Sequence, residues 1–320
     1  MEINPLEYLI NPHKRIYWLF LLSSLVIAFI FLKHHPKQKC IILSKKLWLH
    51  SSSLLDYGYF IFSVFFKVMV ILPILMSAKE VALFVNITLL DQYGFVRIDG
   101  FSYVQVMVIF TLSLFILSDF TRYWLHRLLH FVSWLWAFHK VHHSAKVLNP
   151  LTFYRVHPVE SLLFGLRYSM SIGFVTGIFV FLFGSLVGVY DILGANLFSF
   201  MFSLLGSNLR HSHIKLGFGN VVERFLISPL QHQIHHSRNH VNTNFGGFLS
   251  IWDYLFGTLT LSKNVTNIKF GLEKAQMKNF QSLQGLLLFP FVAIYKQIKS
   301  KHFISYFVAL CQFQRLKKEQ

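Results

Sequence analysis

Long uncharged runs alternate with short basic loops along this chain. Ile16 to Leu32 carries no charge. Gly58 to Ala78 carries one, Lys67, and holds Pro73 as a kink site. Phe101 to Ser118 is uncharged. Tyr168 to Tyr190 and Ile192 to Leu209 form a longer apolar block broken only by Asp191. A helix needs ~20 mostly apolar residues to cross a bilayer. The pattern therefore predicts an all-α fold: an integral membrane helical bundle. The long block reads as two spans or a re-entrant hairpin, and either returns the chain to the side it left. Leu286 to Ile294 and Phe303 to Phe313 are shorter and read as interfacial or packing helices. Arg315 to Gln320 reads as a polar tail.

Composition agrees. The 320 residues are 54% apolar and 13% charged, with a mean hydropathy of +0.51. A soluble domain carries about twice that charged fraction, so soluble, disordered and disulfide-scaffold classes are excluded. Lys and Arg number 30 against 13 acids, a net charge of +17. These bases lie in loops beside apolar runs, which suits anionic lipid headgroups and not nucleic acid, whose partners need a basic patch on a soluble face. Loop charge sets orientation. Lys33, Lys37, Lys39, Lys45 and Lys46 make the first loop cytoplasmic. Lys79 and Arg97, offset by Glu80, Asp91 and Asp99, make the second external. The third span then exits into the cytoplasm, where Arg122, Arg127, Lys140, Arg210 and Lys215 also fall. The first apolar run, after His13, Lys14 and Arg15, reads as a retained anchor, without a small-residue cleavage site. Cys40 and Cys311 are too few for a disulfide framework or a cysteine metal site.

Twelve of the seventeen histidines lie between His126 and His240. All but His157 fall in four strings: His126-Arg-Leu-Leu-His130, His139-Lys-Val-His142-His143, His211-Ser-His213 and His232-Gln-Ile-His235-His236, the last followed by His240. Helix positions i, i+3 and i+4 share a face, so each of the three longer strings presents its rings together. Ser228 as N-cap, Pro229 at the first turn and Gln231 completing a capping box predict a helix for the last string. His211 and His213 are two apart and do not share a helix face. Imidazole is a common ligand for iron, zinc and copper, and this many rings exceeds the need of one tetrahedral ion. Two ions fit the count better. His126 lies eight residues past the third apolar run, ~12 Å of helix, so the rings gather just outside the bilayer. No Glu-x-x-His pair accompanies them, and no His-Glu-x-x-His string, so the site is nearly all imidazole. Asp119, His157, Glu160, Asn244 and Asp253 are candidates to hold ligand rings from behind. Asn244-Phe-Gly-Gly and Trp252 to Thr258 also read as plain turn chemistry. His13, His34, His35, His50 and His302 read as structural or surface residues, and Trp134, Trp136, Phe138 and Phe153 as packing or interfacial aromatics.

These strings, with Asp119 ahead of them, Leu135-Trp-x-Phe before His139 and Asp253-x-x-Phe-Gly-Thr258 at the end, resemble the sterol desaturase / fatty acid hydroxylase superfamily over about Asp119 to Thr258. The resemblance implies a non-haem di-iron centre, with zinc able to take the place of iron in purified protein. It implies O₂ as co-substrate and an external electron donor (a cytochrome, a ferredoxin or a reductase). The outcome would be hydroxylation or desaturation of a lipid C–H position. By motif match it carries over His126, His130, His139, His142, His143, His211, His232, His235 and His236 as metal ligands, with His213 and His240 as additions. The expected organisation is transmembrane helices over 1–118, a histidine-box catalytic region with an embedded membrane hairpin (168–209) over 119–285, and interfacial helices and tail over 286–320. The active site is expected to face the cytoplasm, and the reading favours a bacterial inner membrane.

Two other classes compete. A zinc-dependent membrane hydrolase needs a carboxylate beside an open metal position, and Glu160 is the one candidate. A metal transporter usually carries His or acids inside its spans, whereas these spans are nearly free of them.

Overall fold

The computed structural model describes residues 5–36, 44–189, 191–192 and 195–299. Nine helices of seven or more residues organise them: α1 (Trp18–His34), α2 (Ser51–Phe66), α3 (Ala78–Tyr93), α4 (Tyr103–Phe131), α5 (Ser133–His143), α6 (Pro158–Phe183), α7 (Leu197–Leu204), α8 (Pro229–His235) and α9 (Leu283–Lys299). One two-residue antiparallel pair, β1 (Asp191–Ile192) with β2 (Ala195–Asn196), precedes α7. The all-α reading holds. Three stretches are long and apolar enough to cross a membrane: Ser51–Tyr93, Tyr103–Phe131 and Pro158–Phe183. Large apolar side chains such as Leu83, Phe84, Val104 and Phe174 stand exposed on them, as lipid-facing residues do. The protein is an integral membrane protein.

Local sequence starts and interrupts these helices. Capping boxes open α3 (Ser77 with Glu80) and α4 (Ser102 with Gln105), each satisfying two otherwise orphaned backbone N–H groups. Pro73 has no N–H to give and cannot continue the α ladder. The chain ahead of it widens into a π-turn at Lys67–Ile71 and breaks after Ile74.

Packing partners fix the topology. Phe110 meets Phe179 at 5.0 Å and Arg167 donates to the Ser118 carbonyl at 2.6 Å, so α4 and α6 run antiparallel. Gly165 lies against Leu75, Gly173 against Ala78 and Val81, and Gly177 against Ala82 and Val85. The numbers rise together, so α3 and α6 run parallel. The chain leaves through α3, returns through α4 and leaves again through α6. At the far end Arg97 donates to the Val180 and Phe181 carbonyls at 2.7 and 2.8 Å, satisfying carbonyls the end of α6 leaves free. The near end collects the last turns of α4, all of α5, the start of α6 and α8.

Several boundaries differ from the sequence reading. The third span does not stop at Ser118. It continues as one helix to Phe131, ~43 Å long against a ~30 Å hydrocarbon core, so its last turns project past the lipid. Helix α3 stands where a loop was expected, because its apolar face is needed against α6. The block after Tyr168 holds one long helix, which starts ten residues earlier at Pro158. Its second part is broken into the short ladder and the eight-residue α7, too short to span. Leu286 to Ile294 lies inside α9. Cys40, Cys311, His302, the Phe303 to Phe313 run and the Arg315 to Gln320 tail lie outside the described residues.

The α3–α6 contact rests on a Gly-x-x-x-Gly spacing, Gly173 and Gly177, which lets two backbones approach closely in a bilayer. A Cβ at Gly177 would sit 2.7 Å from the Ala82 carbonyl oxygen and from Val85 Cβ. Gly177→Val should therefore cost ~1–3 kcal/mol through overpacking and lower the melting temperature of detergent-purified protein. Gly58→Ala, where a Cβ meets nothing within 4 Å, should leave that temperature unchanged or raise it.

Candidate metal centre

Nine buried imidazoles converge at the near end in two adjoining groups. His126, His130, His139, His143 and His235 form the first. His142, His211, His232 and His236 form the second. Within each group one ligand nitrogen per residue lies within 4.8 Å of the others. The groups touch where the His143 and His236 rings stack at 4.7 Å between centroids. They assemble because the capping box Ser228–Gln231 starts α8 as its sequence predicts, and because α4 carries His126 and His130 beyond the membrane. The two His-x-x-His-His strings do not each serve one ion. In α5, His139 and His143 enter the first group and His142 the second. In α8, His232 and His236 enter the second and His235 the first. The i and i+4 rings stay together, and the i+3 ring crosses to the neighbour.

The protonation pattern follows from the outer nitrogens. His126 Nδ1 lies 2.8 Å from the Phe245 carbonyl, His235 Nδ1 2.8 Å from that of Thr243, and His142 Nδ1 3.3 Å from that of Arg155. His139 Nδ1 lies 2.8 Å from Glu160 Oε1. Carbonyls and carboxylates only accept, so each Nδ1 donates and each neutral ring turns a bare Nε2 inward. His126 Nε2 and His139 Nε2 then face each other at 3.2 Å, lone pair against lone pair. The chain His142–His211–His232–His236 brings further Nε2 pairs to 3.2–3.4 Å. His130 Nε2 and His235 Nε2 are buried with no partner among the described residues. Protonation does not relieve these contacts. Burial first, then neighbouring rings, hold His139, His143, His211, His232, His235 and His236 well below the ordinary imidazole range. Burial brings His142 down to about 3. Two nitrogens bound at ~2.0–2.1 Å to one ion stand ~3.0–3.4 Å apart. The separations, the bare nitrogens and the all-imidazole donor set therefore suit borderline metal ions, one per group.

The supporting residues divide by what they hold. Glu160, at the start of α6, bonds His139 directly. Asp253 accepts the N–H groups of Phe245 and Gly246 at 2.8 Å each and the Thr258 hydroxyl at 2.6 Å. Asp119 accepts the N–H groups of Phe248 and Leu249 and the Trp252 indole. Asn244, at a positive φ of 56°, is pinned to Gln231 and Thr260. These three thus fix the 243–249 loop, whose Thr243 and Phe245 carbonyls orient His235 and His126. The Asn244 and Trp252 strings are turn chemistry put to that use.

Three expected site residues lie elsewhere. His213 Nε2 accepts the Leu148 N–H at 3.2 Å and its ring meets Phe270, because the His-x-His alternation turns it away from His211. His240 sits in the turn after α8, its N–H bonded to the Ser237 carbonyl, outside both groups. His157 caps α6, with Nδ1 accepting the Val159 N–H and Nε2 donating to the Leu287 carbonyl. Sequence reasoning passed over Arg155 and Asp56. They form a buried ion pair at 2.7 Å that ties α2 to the strand of chain orienting His142. A lone acid inside the apolar α2 run was the available signal. Trp136 packs on the His130 ring at 4.8 Å and on His143 at 5.3 Å.

A cavity of about 420 Å³ opens onto both groups. His126 and His139 of the first and His142, His211 and His232 of the second reach it. Its remaining wall is largely apolar and aromatic, with Phe62, Phe66, Ile71, Leu75 and Phe164, and Glu160 is the only acid on it among the described residues.

Residues 111–258 match the fatty acid hydroxylase family, within the superfamily that the histidine strings resemble. Over 148 residues, 46% of the chain, the protein is 31% identical to the alkylglycerol monooxygenase of Homo sapiens, of which 29% is covered. Over 167 residues, 52% of the chain, it is 28% identical to the ornithine lipid hydroxylase OlsE of Rhizobium tropici, of which 46% is covered. Over 153 residues, 46% of the chain, it is 29% identical to the very-long-chain aldehyde decarbonylase GL1-7 of Oryza sativa, of which 22% is covered. The chain thus spans less than half the length of these curated relatives. No solved structure matches.

Glu160→Gln keeps the shape but weakens the acceptor behind His139. It should lower metal affinity ~10–100-fold, read by competition with a chelator, with helix content unchanged by circular dichroism. The metal-stripped protein should also be acid-sensitive. Its buried histidines have folded pKa values below the unfolded value of ~6.5, so the unfolded state takes up more protons as pH falls. Stability is fully present above about pH 6.5 and declines below it, as a series of melting curves from pH 7.5 to 5 should record.

Proposed function

We propose that this protein, whose residues 111–258 belong to the sterol desaturase / fatty acid hydroxylase superfamily, is a membrane-embedded non-haem di-iron oxidoreductase that uses O₂ and external electrons to hydroxylate or desaturate a lipid C–H position. The observation that carries this reading is the pair of buried imidazole groups with bare Nε2 atoms facing one another at the end of a largely apolar cavity. His126, His130, His139, His143 and His235 would hold one iron and His142, His211, His232 and His236 the other.

When bound, the irons supply the redox capacity to reduce O₂ and oxidise an unactivated C–H bond, which no side chain here possesses. The chain's own residues do the rest. Glu160 and the Phe245, Thr243 and Arg155 carbonyls hold four rings in the tautomer that presents Nε2. The Trp136 face closes one side of the first group against water. Phe62, Phe66, Ile71, Leu75 and Phe164 line a dry slot in which an acyl or ring system can lie with one carbon beside the histidines. Electrons come from a separate donor, a cytochrome, ferredoxin or reductase, approaching the basic side of the protein. With the loop charges as read above, that side faces the cytoplasm. The relatives bear the names of lipid monooxygenases and hydroxylases, which supports a lipid substrate. A zinc hydrolase gains no support: Glu160, the one acid at the cavity among the described residues, is occupied by His139.

Two tests follow. Lipid extracts from cells with and without the protein, compared by mass spectrometry, should differ by a species heavier by one oxygen or lighter by two hydrogens. Identical extracts under iron-replete, aerobic growth would refute the reaction. His235→Ala and His142→Ala should each lower bound iron from two to one or none per chain and abolish oxidation while the protein still inserts. Full iron content in both variants would refute the ligand sets.

A further inference from the structure

A second cavity of about 390 Å³ adjoins the first, and the two share Arg122, Phe153, Arg167 and Tyr168 as common wall. The second differs in charge. Among the described residues, Lys14, Arg15, Arg122 and Arg167 line it against one acid, Asp119, whose oxygens are already engaged. One of its oxygens takes the Phe248 N–H, and the other takes the Leu249 N–H and the Trp252 indole, all at 2.8–3.0 Å.

The cations are left short of partners. Arg122 makes no hydrogen bond or ion pair among the described residues, and its one aromatic neighbour, Phe248, is 5.9 Å from the guanidinium. Arg15 donates to the Ser207 carbonyl and lies over Phe153 at 5.0 Å, while its Nε is buried without a partner. Arg167 donates to the Ser118 carbonyl and the Thr121 hydroxyl, and its Nε is likewise unpartnered. Three guanidiniums around one space repel each other and carry a desolvation cost that Asp119, the acid beside them, offsets only in part. An anion placed between them removes both penalties, and planar forked donors match phosphate oxygens in particular.

We propose that this second chamber receives a phosphate-class anionic group, namely the headgroup of a lipid whose reacting carbon lies in the first chamber. Arg122 stands one helical turn before His126 on the same face of α4, ~6 Å along the axis, and both border the first cavity. Headgroup and histidines are therefore neighbours, joined by the wall the two cavities share. The tail's placement rests on the lipid-oxidising reading above; the anion site does not.

The test is equilibrium binding to the detergent-purified full chain, with metal content measured separately on each sample. The probes are phosphatidic acid in mixed micelles, diacylglycerol with the same acyl chains, and inorganic phosphate. Phosphatidic acid should bind at least tenfold more tightly than diacylglycerol. Arg122→Gln should abolish that preference, Arg122→Lys should retain most of it, and the exposed-site control Lys46→Gln should not alter it. Inorganic phosphate should compete with phosphatidic acid. Phosphate that binds without competing would mark a free-anion site and overturn the headgroup assignment. Equal affinity for the two lipids, or a preference that survives Arg122→Gln and Arg167→Gln alike, would overturn the anion site altogether. A chain that holds no iron yet prefers the anionic lipid would sink the oxidase reading and leave the chamber standing.

Discussion

Lone pairs cannot be packed against lone pairs in a dry interior unless something positive lies between them. That constraint governs the near end of this protein. The outer nitrogen of each oriented ring is committed to an acceptor, so the inner one is bare. Burial keeps the rings neutral, so protonation does not separate them. Four rings so oriented, packed among five further buried imidazoles, are unstable as a polar core and well suited as a ligand cage.

Much of the surrounding architecture serves to hold that arrangement. The 243–249 loop would gain little by itself, yet Asp119 and Asp253 grip it from both sides and Asn244 adopts a left-handed backbone to fix its start. The carbonyls so aimed set two rings, one on α4 and one on α8. Glu160 at the head of α6 sets a third, and the Arg155 carbonyl, held by the Asp56 ion pair, sets a fourth. Helices α4 and α6, and α2 through Asp56, therefore contribute to the site at one end, and their membrane-spanning parts act as the rigid mount.

The helical class, the membrane setting and the gathering of histidines on one side were legible in the sequence, because apolar run length and helix-face spacing are local signals. Ser228 to Gln231 announced α8 before any tertiary contact was known. Other features depended on packing between distant segments. The continuation of α4 past Ser118 needed the loop and α5 to bury its polar face. Helix α3 was hidden because its charged flanks look like a loop, although Gly173 and Gly177 on its partner marked the contact. The i+3 crossing between groups, and the exclusion of His213 and His240, depend on how α5 and α8 face each other, which spacing alone does not encode.

Iron-edge X-ray absorption on protein purified from iron-supplied cells bears most directly on the cage. The proposed centre predicts a first shell of nitrogen and oxygen at ~2.0–2.2 Å, dominated by imidazole and free of sulfur, with a second metal as an outer scatterer. Protein that carries no iron under those conditions, or iron bound to sulfur or as a lone ion, would contradict the account.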